Sequence, residues 1–127
     1  MANIVVCDDE PHIVQGLRYL FETDNHDVRV AHNGQEALDL IAEDLPDLLV
    51  TDIMMPKLSG FDVVERLRSS PETASLLIIM LTAKGQRSDA VYARELGASE
   101  FVTKPFSPIQ LRELVRGLLA QKCETPV

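Results

Sequence analysis

Leu76-Leu77-Ile78-Ile79-Met80-Leu81, running into Thr82, is the most apolar stretch of the chain. A run of consecutive apolar residues cannot alternate between a wet and a dry face, so it reads as a strand buried on both sides. The same signature recurs outward from it. Ile4-Val5-Val6-Cys7 ends in Asp8-Asp9 and Leu48-Leu49-Val50-Thr51 ends in Asp52; Glu100-Phe101-Val102-Thr103 reads as a further strand, followed by Lys104-Pro105. Asp27 to Ala31 (DVRVA) mixes in polar residues and reads as a weaker strand nearer an edge.

Helical spacing fills the gaps between these strands. Ile13, Leu17, Leu20 and Phe21 follow Pro11, which the first turn of a helix tolerates. Ala37, Leu38 and Ile41 line one face after the Asn33-Gly34 turn, and Pro46 ends that segment. Phe61, Val64 and Leu67 mark a third helix, broken at Ser70-Pro71. Gln86 to Leu96 is a fourth, closed by Gly97, a natural residue just past a helix end. Ser107-Pro108 opens the last, whose face is Leu111, Leu114, Val115 and Leu118, and the final QKCETPV reads as frayed. Five alternations of strand and helix predict an α/β fold, a doubly wound parallel sheet with helices on both faces and right-handed crossovers.

The chain has 127 residues, 46% hydrophobic and 25% charged, an ordinary composition for one domain. Twelve Lys+Arg against twenty Asp+Glu leave a formal charge of −8. That balance argues against direct nucleic-acid binding by this domain and against docking on an anionic membrane. It suits cations or basic partner surfaces. Cys7 and Cys123 make no disulfide framework, which favours a reducing compartment. His12, His26 and His32 are scattered without metal-ligand spacing. No signal peptide and no apolar run of membrane-spanning length are evident, so the expectation is a cytoplasmic protein.

In open α/β sheets, ligands bind outside the carboxyl ends of the strands. Those ends carry Asp8 and Asp9, Asp52, Thr82 and Lys104, whereas the second strand ends in Ala31-His32. Singly, Asp52 reads as a turn aspartate, Lys104 as a solvated lysine and Thr82 as the end of a strand. Together they make a chemical set. Crowded carboxylates attract protons or a cation, and hard oxygen donors of this kind suit Mg²⁺. Three acids, one divalent ion and one lysine carry no net charge, so a phosphoryl group can approach. A carboxylate is a competent nucleophile at phosphorus, and a lysine and a hydroxyl can hold the phosphoryl oxygens.

With Asp8-Asp9, the DIMMP segment from Asp52 to Pro56, Thr82-Ala83 and Lys104-Pro105-Phe106 in this order, the chain resembles the receiver domain of two-component response regulators over essentially its whole length. The resemblance implies a flavodoxin-like sheet of order 2-1-3-4-5 flanked by five helices, with residues 1–121 as the receiver and 122–127 as a C-terminal tail. It implies that Asp52 is the phosphoacceptor and that Mg²⁺ is held by Asp9, Asp52 and the backbone carbonyl of Met54, with Asp8 reaching it through water. By the same resemblance Lys104 looks like the salt-bridging lysine, and a cis bond to Pro105 is implied. The resemblance further implies that Thr82 and Phe101 form the switch pair and that the fourth helix, fifth strand and fifth helix form the face that reports it.

The implied partners are a sensor histidine kinase or histidine phosphotransfer protein and a downstream effector protein or domain, with homodimerisation on phosphorylation a further possibility. The protein is then a signalling switch, with self-phosphorylation and self-dephosphorylation as its only chemistry. Two positions flanking the acceptor, Met54 and Lys84, are expected to tune hydrolysis of the acyl phosphate. Glu10 reads as structural, Tyr92 as packing, Cys7 as a small core residue and Phe101 equally as a core aromatic.

The competing readings fare less well. A haloacid-dehalogenase-like phosphatase wants D-x-D on the first strand and a substrate cap. A nucleotide-binding module wants a glycine-rich phosphate loop, and none is present. A pseudo-receiver acting as an inert interaction module would not need the intact acid–Thr–Lys set. The winged-helix transcription-factor subfamily usually has an Arg ten residues after the lysine; Leu114 stands there, which weakens that output class. The chain is either a stand-alone receiver or the N-terminal piece of a longer regulator.

Overall fold

The computed structural model describes residues 2–55, 58–83, 87–104 and 106–124. Five strands and five helices alternate: β1 (Asn3–Cys7), α1 (Pro11–Thr23), β2 (Asp27–Ala31), α2 (Gly34–Glu43), β3 (Leu48–Asp52), α3 (Gly60–Arg68), β4 (Leu77–Ala83), α4 (Arg87–Leu96), β5 (Glu100–Lys104) and α5 (Pro108–Glu124). All strand pairs are parallel and the order is β2-β1-β3-β4-β5, as expected. The polar strand β2 lies at an edge.

The continuous apolar runs follow from the period of two along a strand. Val5, Cys7, Leu49, Ile78 and Met80 face one way and pack with Ala37 and Ile41 of α2 and Val63, Val64 and Leu67 of α3. Ile4, Val6, Leu48, Val50, Ile79 and Leu81 face the other way, onto Leu17 and Phe21 of α1 and Leu111 and Val115 of α5. Both faces of the inner strands β1, β3 and β4 are therefore dry, and these strands need apolar residues at successive positions.

Local chemistry sets the helix ends. Pro11 opens α1. Asn33 accepts the Glu36 amide at 3.0 Å to cap α2. Ser59 and Asp62 form a reciprocal capping box on α3. Gly97 follows α4 at φ 107°, a conformation that side-chain-bearing residues rarely adopt. Its carbonyl accepts Arg68 Nε at 2.9 Å, and the same guanidinium reaches the Thr73 carbonyl at 3.2 Å. α3 is thereby tied to the α4–β5 turn.

Boundaries differ from the sequence reading by a residue or two. β3 takes in Asp52 and β5 takes in Lys104, so both side chains are borne on strands. α5 continues through Glu124, into the stretch read as a tail. Gln86, Pro105 and Lys84, and with them the cis bond to Pro105 and the role given to Lys84, lie outside the described residues, as does Pro56 of the DIMMP segment.

Candidate functional site

The register sets the site. Cys7 pairs with Thr51, Asp52 with Leu81, and Ala83 with Lys104. The residues that end β1, β3, β4 and β5 therefore meet along one sheet edge. Gly60, at the start of α3, lets the loop after β3 fold close under it: a Cβ there would come 2.3 Å from the Asp52 carbonyl oxygen.

Asp8 is fully buried. Its Oδ1 accepts the Glu10 amide at 3.0 Å and its Oδ2 accepts Lys104 Nζ at 2.8 Å. Lys104 Nζ also lies 3.4 Å from Asp52 Oδ1, so one ammonium bridges the acids of β1 and β3. Asp52 is 6% exposed, and its Oδ1 also accepts the Ile53 amide at 2.9 Å, which fixes the carboxylate's rotation. Thr82 is buried on β4, between the strands that carry Asp52 and Lys104. Asp9 is exposed at the mouth. The expected residues Asp8, Asp52 and Lys104 are thus joined directly, with Thr82 and Asp9 beside them.

Glu10 belongs with this group, which the sequence reading missed by treating it as structural. Its Oε1 is 3.8 Å from Lys104 Nζ. Ligand atoms of Asp8, Asp9 and Glu10 all lie within 4.8 Å of one another, an arrangement able to hold a metal ion. Three acids in succession were the available signal, and only the turn after β1 shows that all three converge.

The charges act on one another. Burial, and then the Asp8 carboxylate, push the Asp52 carboxyl up to about 6, against the pull of Lys104. For Lys104, burial works to lower the pKa, but the bond to Asp8 and the charges of Asp52 and Glu10 outweigh it and leave the ammonium above its usual value. The site therefore holds more negative charge than one lysine neutralises. Its donors are hard carboxylate oxygens, which fit Mg²⁺.

The remaining expectations divide. The Met54 side chain is 73% exposed, so it stands in solvent rather than over the acceptor. Phe101 is half-buried, packs against the α2–α3 side of the core, and with Phe106, Gln110 and Leu114 lines a cavity of about 380 Å³ between β5 and α5. Leu114 also packs against the α1–α5 core. Tyr92 meets Phe61 edge-on at 4.8 Å, the packing role expected of it. Cys7 is fully buried, and burial pushes its thiol up to about 12. No described helix is long and apolar enough to cross a membrane.

Residues 4–116 match the response regulator receiver domain, and the chain belongs to that family. It is 43% identical over 117 residues to the alkaline phosphatase synthesis transcriptional regulatory protein PhoP of Bacillus subtilis, covering 92% of this chain and 48% of that protein. It is 40% identical over 119 residues to the transcriptional regulatory protein CpxR of Escherichia coli, covering 94% and 50%. Among solved structures, a putative response regulator from Chloroflexus aurantiacus superposes with a TM-score of 0.90 at 34% identity, covering 94% of this chain and 98% of that one. The chain spans about half the length of the curated relatives it matches.

Proposed function

We propose that Asp52 is the phosphoacceptor of this receiver domain. The observation that carries the reading is the Lys104 ammonium set between buried Asp8 and Asp52, 2.8 and 3.4 Å away, beside a cluster of three acids. Asp52 Oδ1 is occupied by the Ile53 amide and faces Lys104, whereas Oδ2 has no hydrogen-bond partner among the described residues. That oxygen attacks phosphorus. An O–P bond forms and the N–P bond to a donor histidine breaks, leaving an aspartyl-phosphate. Lys104 receives the phosphoryl charge, and the Thr82 hydroxyl takes a phosphoryl oxygen.

Asp9, Asp52 and the Met54 carbonyl, with Asp8 through water, are the proposed Mg²⁺ ligands, and Glu10 joins them at the rim. Bound Mg²⁺ supplies charge neutralisation for the incoming phosphoryl group. Movement of Thr82 towards the phosphoryl group, followed by Phe101, passes the event to the α4–β5–α5 face. The chemistry is limited to the domain's own phosphorylation and dephosphorylation.

The proposed donor is a histidine kinase or a histidine phosphotransfer protein, and the reader is an effector protein or domain. The named relatives PhoP and CpxR are transcriptional regulators, and a DNA-binding effector is the output we favour over the lean given by Leu114, since Leu114 serves the core. Homodimerisation through the switched face belongs to the same proposal.

Intact-mass spectrometry after incubation with an acyl phosphate and Mg²⁺ tests the acceptor. One phosphoryl adduct is expected on the wild type and none on Asp52→Asn or without Mg²⁺. An adduct of equal yield on Asp52→Asn would move the acceptor elsewhere.

A further inference from the structure

Cys7 is the last residue of β1, directly before Asp8-Asp9, and its register partner Thr51 directly precedes Asp52. It therefore sits immediately beneath the two acid-bearing strand ends. Its Sγ donates to the Asn33 carbonyl at 3.2 Å and lies 3.3 Å from Met55 Sδ. Met55 is part-buried against the core cluster that contains Cys7.

Met54 stands between two anchored neighbours. On one side Ile53 is 1% exposed, its amide donating to Leu81 at 3.1 Å and its carbonyl accepting Gly60 at 2.8 Å. On the other side Met55 rests its thioether on the Cys7 thiol. Met54 itself sends its side chain into solvent, and among the described residues these two neighbours are what anchors the segment on either side of it.

We infer that the Cys7–Met55 sulfur contact positions the backbone at Met54 and thereby sets the affinity of the acidic site for its divalent cation. This rests on the ligand set proposed above. The two are positioning residues: neither sulfur touches the acids, and both hold the segment that presents a carbonyl to them. Thiol and thioether are polarizable and pack adaptably, and a valine or leucine replaces their bulk without replacing that contact. Groups that orient metal ligands typically change affinity by about 10–100-fold when removed; a packing contact belongs at the lower end.

The test uses Cys7→Val, Met55→Leu and the double variant of the full chain. Mg²⁺ affinity is measured by titration calorimetry, and metal-free urea unfolding is followed in parallel. Each single variant should weaken Mg²⁺ by about tenfold with a metal-free midpoint close to wild type. The double variant should lose no more than the weaker-binding single variant, because both remove one contact. Three results overturn the inference while leaving the ligand set standing: affinities within about twofold of wild type, losses that multiply in the double variant, or losses that merely track metal-free stability. A wild type that takes up no Mg²⁺ overturns the ligand set and the inference together.

Discussion

Burial and the neighbouring Asp8 carboxylate set the Asp52 carboxyl at about 6, against an ordinary value of 3.8. The folded protein therefore binds this proton more tightly than the unfolded chain does. Asp52 contributes stability below its unfolded value, and that contribution is lost as pH rises through the folded one. At pH 8 and without metal, Asp52→Asn should unfold at a higher temperature than wild type, by about 2 kcal/mol in stability. The gap should close towards pH 4. Scanning calorimetry in a chelator checks both ends, and a variant less stable than wild type at pH 8 would contradict the crowding described here. The phosphoacceptor proposed here is a residue that strains the resting fold, as functional groups often do.

Between elements, the opposite sign holds. Asp24, just past α1, accepts Arg112 at 2.8 Å and Arg116 at 2.7 Å, pinning the end of α1 to the middle of α5. These hydrogen bonds keep its carboxyl well below the usual range. The tie's contribution is full above the unfolded value of 3.8 and falls away as pH drops from there through the depressed folded one. Asp24→Asn should lower the urea midpoint at pH 7, with the penalty shrinking as the pH is brought below 4, where wild type begins to lose the tie's contribution. A penalty constant from pH 7 to pH 3 would assign Asp24 to packing instead.

No local spacing announces this tie, since its partners lie 88 and 92 residues apart. The Cys7–Met55 contact is invisible for the same reason. The strands, by contrast, were legible because a strand with two dry faces must be apolar at every position. Helix ends were legible where one side chain closes a turn, as at Pro11 and Gly97. Sheet order came from the resemblance and not from the pattern of residues. Asp8, Asp52 and Lys104 were legible because strand ends are few and share one edge. Glu10 was not, because a turn residue's direction depends on how the chain leaves β1.

At the scale of the molecule, the proposed cation site would couple folding to cation binding through the excess of acids at one edge. A ligand that binds only the native state raises stability by mass action. Mg²⁺ at a hundredfold its dissociation constant should add about 2.7 kcal/mol, or roughly 10 °C in melting temperature. Thermal melts across a Mg²⁺ series check this, and a flat series would count against an assembled acidic site. The same addition should remove much of the advantage of Asp52→Asn, since the cation relieves the repulsion that the substitution abolishes.

The lysine that joins the two buried acids comes 96 residues after Asp8, on the edge strand β5. On the ribosome, the acids are all made long before their cation. A nascent chain, or one cut between β4 and β5, carries the aspartates of the site without Lys104 to balance them. On the proposed reading, the charge balance that an incoming phosphoryl group needs is complete only once the last strand is in place.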